Sequence, residues 1–152
     1  MVSEVTPPRE AAQRKRDVLR RLREDVDAWV STASPDGVPC LVPLAFLWHE
    51  GTLVMTTRAT NPTAVNARKT GRATLSLGHT RDVVLIETEV DVIANEAVTA
   101  AEGDAFAAKH QWDTRGRPEW AFLRFRPVTI RAWREENELA GRHLMKDGVW
   151  LV

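Results

Sequence analysis

The sequence is poor in cysteine and has no excess charge of either sign. Cys40 is the single cysteine among 152 residues, which excludes an internal disulfide framework and suits a reducing compartment. Lys and Arg number 21 and so do Asp and Glu, so the formal net charge is zero. A protein that wraps nucleic acid needs a marked cationic excess to meet the phosphates. We therefore expect no nucleic-acid partner.

Long hydrophobic runs are also missing. The longest, residues 41–48, is broken by Pro43 and is too short to cross a bilayer. The N-terminus carries charges where a signal peptide would need an apolar stretch. The composition, 43% hydrophobic and 28% charged, is that of a globular domain. These features predict a cytoplasmic protein with no membrane association.

The usual sets of catalytic side chains are absent from the sequence. The four histidines are widely separated and form no cluster with cysteine, so we expect no metal site, and no Gly-x-Ser-x-Gly motif is present. Such absences suit an enzyme whose cofactor supplies the electrons while the protein supplies position and electrostatics. They suit a protein without catalytic activity equally well.

Most of the chain shows the period-2 pattern of strands, with few helices. Residues 1–8 end in two prolines and predict a flexible leader, followed by a single domain over 9–152. Pro39 and Pro43 cannot donate ladder hydrogen bonds, so their strand should be an edge. The pattern predicts a mainly β protein, a closed or nearly closed antiparallel barrel. Its predicted helices cover 9–25, 62–70 and 98–109, and its predicted strands cover 29–33, 38–48, 52–57, 73–78, 82–94, 119–134 and 149–152.

Residues 55–72 carry the strongest local signal. Asn61 is a good N-cap, Pro62 suits the first helical position, and Gly71 suits the position just past the helix end. The N-terminus of this helix exposes N–H groups and the positive end of the helix dipole beside the Thr57 hydroxyl and the Arg58 guanidinium. These are the components of a phosphate site. The alternative is that the polar residues only cap a surface helix.

The first predicted helix, over 9–25, is locally basic. Its positively charged side chains outnumber the single opposing Asp17 within the basic stretch. We expect them to form a solvated face that covers one end of the domain. A contact with a phosphate or an acidic partner is the second possibility.

The order of elements resembles the pyridoxamine 5′-phosphate oxidase-like superfamily of split barrels that bind flavins and deazaflavins. The resemblance rests on the Pro-Asp-Gly turn, the strand ending Thr56-Thr57 and the helix with the letters AVNARKTGRA, over roughly residues 27–92. The C-terminal stretch over 127–150 is similar to closing segments of family members. The resemblance implies an antiparallel split β-barrel of the FMN-binding type that forms a homodimer. It also implies two sites at the interface for FMN or, alternatively, for the deazaflavin coenzyme F420.

The resemblance further implies roles for individual residues. Family members often have a serine followed by basic residues at the start of the phosphate helix, where this chain has Asn61-Pro62-Thr63, so Arg58 or Lys69 would substitute. Arg142 would stabilise negative charge on the reduced ring, or orient the substrate, and Trp133 would pack near that ring, both as an arm that crosses the dimer. The remaining cofactor residues are Leu41, Val42, Pro43 and Leu44 at the ring, Thr56, Thr57 and Arg58 at the ribityl-phosphate chain, and Asn61, Thr63 and Asn66 at the helix.

Three functions stay open at the level of sequence. The first is an oxidoreductase that transfers hydride between FMN or F420 and a small organic substrate. The second is a protein of the same fold that holds a flavin, haem or tetrapyrrole without turnover. The third is a β-barrel that binds nucleic acid through the basic first helix, against which the zero net charge weighs.

Overall fold

The protein is an antiparallel β structure with three helices, described here by a computed structural model over residues 5–152. Its helices are α1 (Ala11–Glu24), α2 (Pro62–Thr70) and α3 (Ala100–His110), and its strands are β1 (Asp27–Ala33), β2 (Pro39–Ala45), β3 (Leu47–His49), β4 (Thr52–Arg58), β5 (Arg72–Leu77), β6 (Val83–Ala94), β7 (Trp120–Trp133), β8 (His143–Lys146) and β9 (Val149–Trp150). The sheet runs in the order β2-β1-β5-β6-β7-β4-β3, and the short strands β8 and β9 extend from β7.

The two strands at the ends of this order, β2 and β3, follow each other directly in the chain. The connection between them closes the sheet into an incomplete barrel. β2 pairs with β1, whereas β3 pairs with β4 at the other end of the order. Fully buried Phe46 lies between them, and its N–H donates to the Val26 carbonyl at 3.0 Å. The expectation of one strand over 38–48 is therefore wrong, because the chain changes partner at Phe46. β2 is an edge strand, as its prolines predicted.

One face of the sheet forms the hydrophobic core. β1 alternates exposed and buried positions along its whole length, with Ala28 and Val30 pointing inward. Val18 and Leu22 of α1 pack on this core, as does Ala67 of α2. None of the six tryptophans is fully buried: Trp48 and Trp150 pack against the core from its edge, and Trp29 is 44% exposed.

β7 is the longest strand, and a bulge interrupts its pairing with β6 at Pro127. Thr88 pairs with Pro127 and Glu87 pairs with Thr129, so one residue on β7 is left over. Proline lacks the N–H that a regular ladder needs, which accounts for the irregularity at this point. The strand continues past the bulge to Trp133.

The N-terminal segment is held against the domain where it is described. Residues 1–4 of the predicted leader lie outside the described residues, but the Thr6 carbonyl accepts a hydrogen bond from Asn137 at 2.9 Å. The basic face of α1 is not wholly solvated, because Arg14 is 3% exposed. Within residues 5–152, no helix combines the length and the apolar character needed to span a membrane.

Candidate functional site

The N-terminus of α2 presents amide groups that no side chain caps. Asn61 occupies the N-cap position with extended backbone, but it makes no capping hydrogen bond. Its side-chain amide donates instead to the Thr57 hydroxyl oxygen at 3.0 Å. The cap expected of Asn61 is therefore wrong. Because Pro62 has no N–H and the first helical bond is from Val65 to the Asn61 carbonyl, the helix itself does not satisfy the amides of Thr63 and Ala64, and both residues are buried.

Arg58 lies directly beside this helix start. It is the last residue of β4, and β7 places Trp120 opposite it. The Arg58 guanidinium lies 5.1 Å from the centre of the Trp120 ring, and the Trp112 ring meets Trp120 edge-on at 5.2 Å. The indole gives the exposed cation a defined position without neutralising it. Arg68 holds the adjoining loop by donating to the Ala59 carbonyl at 2.7 Å.

The two threonines at the end of β4 point to opposite sides. Thr57 is buried, and its hydroxyl oxygen accepts the Asn61 amide at the helix start. The Thr56 hydroxyl lies 2.8 Å from that of Thr114 and donates to the Ala121 carbonyl at 3.0 Å. The hydrogen bonds of the Thr56 hydroxyl are therefore made in the interior. Of the two hydroxyl groups, only that of Thr57 lies beside the start of α2.

Three of the predicted residues on α2 do not converge on its N-terminus. The Thr63 hydroxyl lies 3.8 Å from the Cys40 sulfur on β2, and the buried Asn66 amide donates to the Thr32 hydroxyl on β1 at 3.2 Å. Both side chains fasten the helix to the sheet. Lys69 is exposed in the last turn, roughly 10 Å along the helix axis from Pro62.

The β2 residues predicted at the ring divide between two faces. Val42 and Leu44 are partly buried and pack against the core. Leu41 and Pro43 are exposed on the outer face, where Pro43 pairs with Trp29. The outer edge of β2 is thus an apolar strip at the rim of the barrel.

Trp133 and Arg142 lie close to each other but far from α2. The Ala132 N–H donates to the Arg142 carbonyl at 2.9 Å, so the two side chains share the end of β7 where β8 begins. Trp120, opposite Arg58, stands at the other end of the same strand. The 13 residue steps between Trp120 and Trp133 correspond to roughly 40 Å of strand. One chain therefore does not bring both groups into a single site.

The outer face of the sheet carries an open groove and a charged stripe. The groove has a volume of about 870 Å³ and runs over β1, β5 and β6 beside Arg72 and Thr74. Glu87, Glu89 and Asp91 are exposed along β6, and Arg126 on β7 pairs with Glu89 and Asp91.

Several positively charged side chains lie at the end of the sheet where β7 meets β8. Burial lowers the pKa of His143, and the positive charges of Lys146, Arg131 and Arg142 lower it further, against an opposing effect of Glu87. These cations gather around the β7–β8 pairing, in which Arg131 faces His143. Within the described residues, no group of histidine, cysteine or carboxylate side chains could hold a metal ion.

Comparison with known protein families identifies the chain's relatives. The sequence model of the pyridoxamine 5′-phosphate oxidase family matches residues 15–134. The chain belongs to this family. A comparison with curated protein sequences found no match.

Several solved structures share the fold of this chain at low sequence identity. A putative pyridoxamine 5′-phosphate oxidase from Listeria innocua aligns with a TM-score of 0.65 at 13% identity, covering 80% of this chain and 98% of that one. A protein named F420 reductase aligns with a TM-score of 0.60 at 15% identity, covering 73% and 93%. A pyridoxamine 5′-phosphate oxidase-related, FMN-binding protein from Nostoc punctiforme aligns with a TM-score of 0.53 at 17% identity, covering 80% and 78%. These likenesses establish the split-barrel fold of this chain.

Proposed function

We propose that this protein binds FMN or the deazaflavin F420 as a homodimer and transfers hydride between that cofactor and a small organic substrate. The observation that carries the proposal is the uncapped start of α2 beside the Arg58 guanidinium. Relatives named for FMN binding and for F420 reduction support a cofactor of this class. The single cysteine and the absence of a membrane-spanning helix among the described residues suit a cytoplasmic location.

The α2 start brings together the donor types that a phosphate group takes. They are the amides of the first helical turn, the Thr57 hydroxyl and the Arg58 guanidinium. Arg58 is exposed, and Trp120 keeps it next to these donors. The phosphate of FMN, or the phosphate-bearing chain of F420, would bind here. The ring would then lie against the β2 edge at residues 41–44.

The separation along β7 is the reason for proposing a dimer. Trp133 and Arg142 can act at the same site as Arg58 only if one set comes from the partner subunit. The exposed Leu41 and Trp29 on the outer face offer an apolar surface for that association. Arg142 would then place a positive charge near the ring of the cofactor bound mainly by the other subunit.

The protein's own part in the reaction would be positioning and electrostatics. Bound flavin or deazaflavin supplies the hydride chemistry. Arg142 would stabilise negative charge that develops when the ring is reduced, or hold an anionic part of the substrate. The half-buried Trp133 would limit access of water to one side of the site.

The decisive experiment titrates the protein with FMN and, separately, with F420, and then follows reoxidation of each reduced cofactor. Arg58→Ala should weaken cofactor binding by about 1.5–3 kcal/mol, the range for hydrogen bonds to charged groups. Arg117→Ala, a change at an exposed arginine of the 111–119 loop, is the matched control and should leave the affinity unchanged.

Two outcomes would contradict the proposal at different levels. Equal affinity of wild type and Arg58→Ala for both cofactors would mean that the phosphate does not bind at α2. Tight binding without reoxidation by a panel of quinones, enones and tetrapyrroles would favour a carrier without turnover. The Arg142→Ala variant should slow reoxidation more than it weakens binding, because the charge on the ring grows during reduction.

A further inference from the structure

Arg14 on α1 is a buried cation whose partners are backbone carbonyl groups of a distant segment. It is 3% exposed, and its Nη1 atom donates to the carbonyl oxygens of Ala132 at 3.0 Å, Glu138 at 2.9 Å and Gly141 at 3.2 Å. Its Nε atom is buried without a partner among the described residues. Burial lowers the pKa of Arg14. A buried guanidinium costs free energy unless it is well hydrogen-bonded, so these three bonds are needed at this position.

Glu138, whose carbonyl oxygen accepts from Arg14, also binds Arg9 through its carboxylate. Arg9 donates to its two carboxylate oxygens through Nε at 2.9 Å and Nη2 at 2.8 Å. The backbone N–H of Arg134 donates to it at 2.7 Å. The hydrogen bond from Arg9 is the main reason that the pKa of Glu138 falls to about 2, so the carboxylate is ionised throughout the neutral range. We call Arg9, Arg14 and Glu138 the N-terminal clasp.

The N-terminal clasp binds the backbone next to Trp133 and next to Arg142, the two residues proposed to reach the cofactor. Ala132 immediately precedes Trp133, and Gly141 immediately precedes Arg142. The Nη1 atom of Arg14 therefore donates to the carbonyl group that directly precedes each of these two residues. Between them, residues 134–142 contain only a short 3-10 turn, and Arg142 adds a local bond to the Leu139 carbonyl at 2.8 Å.

We propose that the N-terminal clasp is a positioning device that sets the placement of Trp133 and Arg142 in the cofactor site. This inference rests on the proposed function, because it takes the two residues as the cofactor arm. A group that stabilises developing charge must be held within a fraction of an ångström, and a displacement of about 1 Å can cost a large part of the rate. The connection between β7 and β8 has little regular structure of its own, and α1 supplies the rigid support.

A double-mutant cycle separates positioning from general stability. Arg14→Met should weaken cofactor binding or slow reoxidation about 10-fold in the wild-type background. In the Arg142→Ala background the same change should have a much smaller further effect, because Arg14 can then act only through Trp133. The control is Lys15→Met on the same helix, which removes a bond to the Val152 carbonyl and should be neutral in both backgrounds.

Hydrogen exchange of the protein without cofactor gives a second readout. The amides of residues 133–142 should exchange faster in Arg14→Met, whereas those of the β5–β6 pairing should keep their protection. Glu138→Gln, which retains the shape of the side chain, serves if Arg14→Met does not fold, and it should show the same pattern more weakly.

The outcomes are distinguishable. Full additivity of Arg14→Met and Arg142→Ala, or unchanged exchange over 133–142, would overturn the positioning role while leaving cofactor binding intact. Failure of the wild-type protein to bind either FMN or F420 would overturn the proposed function, and this inference with it.

Discussion

The Asn61 amide donates to the Thr57 hydroxyl oxygen at 3.0 Å, and so the residue in the N-cap position leaves the helix behind it uncapped. Asparagine at this position normally accepts from a first-turn amide and stabilises the helix. α3 of the same protein shows the usual arrangement, in which the Thr99 hydroxyl accepts from the Glu102 N–H at 3.1 Å. α2 therefore begins, like α1, without a side-chain cap, and Arg58 lies beside the α2 start.

Asn61→Asp should therefore raise stability and lower cofactor affinity at once. A carboxylate here can accept from the Thr63 or Ala64 amide and interacts favourably with the helix dipole, so we expect a gain of about 0.5–1 kcal/mol in the free energy of unfolding. The same carboxylate would compete with a phosphate for those amides. Thermal denaturation and an FMN or F420 titration measure the two effects.

Ala11→Glu is the control for Asn61→Asp, because it adds one negative charge at an exposed first turn of another helix. It should leave cofactor affinity unchanged. Undiminished affinity in Asn61→Asp would show that the α2 amides do not contact the cofactor.

Glu102 should account for a measurable part of the protein's resistance to acid. It is 4% exposed, and hydrogen bonds from Arg124, at 2.7 Å through Nε and 2.5 Å through Nη2, are the main cause that lowers its pKa to about 2. Since the folded-state pKa lies below the unfolded value of about 4.5, the stabilisation is complete above that value and is lost as pH falls towards 2. The lowering of the pKa from 4.5 to about 2 corresponds to roughly 3 kcal/mol of stability.

Glu102→Gln tests this directly by urea denaturation at several pH values. The variant should be less stable than wild type at pH 7, and the difference should shrink between pH 4.5 and pH 2. Glu96→Gln, at an exposed carboxylate in the 3-10 turn before α3, should show no such pH-dependent difference. A constant difference across the whole range would contradict the linkage to Glu102.

Local signals were enough to predict α2 and most strands. α2 runs over Pro62–Thr70, as the proline at its start and Gly71 after its end predicted, because both act on the backbone of their own turn. The break at Phe46 was not predictable in this way. Apolar residues continue across it, and the change of strand partner depends on where β1 and β4 lie in the folded sheet. The hairpin of β8 and β9 was missed although Asp147-Gly148, both with positive φ, is a typical two-residue turn.

The site was predictable only where it is local. The proximity of Arg58 to the α2 start follows from three residues of separation. Trp120 comes next to Arg58 through strand register across more than sixty residues, and no local pattern encodes that register. The burial of Arg14 was likewise hidden, because its spacing on α1 is that of an ordinary solvated arginine, and only the folded position of residues 132–141 provides its partners.

Leu41→Asp should dissociate the proposed dimer. Leu41 is 62% exposed and Trp29 44% exposed on the same outer face of β1 and β2, beside Pro43. A specific dimer would bury more than ~1,200 Å² in total, and a charge in an apolar interface centre is costly. Light scattering at micromolar concentration should give twice the chain mass for wild type and the chain mass for the variant. Val26→Asp, at an exposed position before β1, should remain dimeric.

The same variant tests whether the site is shared between subunits. Because Trp133 and Arg142 lie at the opposite end of β7 from Arg58, a folded monomer would lose their contribution to a cofactor bound at α2. Leu41→Asp should show reduced affinity, but Leu41 is also proposed to contact the ring, so the result that tests the shared site is that adding Arg142→Ala reduces the affinity no further. A wild-type protein that scatters as a monomer, or a monomeric variant in which Arg142→Ala still weakens binding, would contradict the shared site.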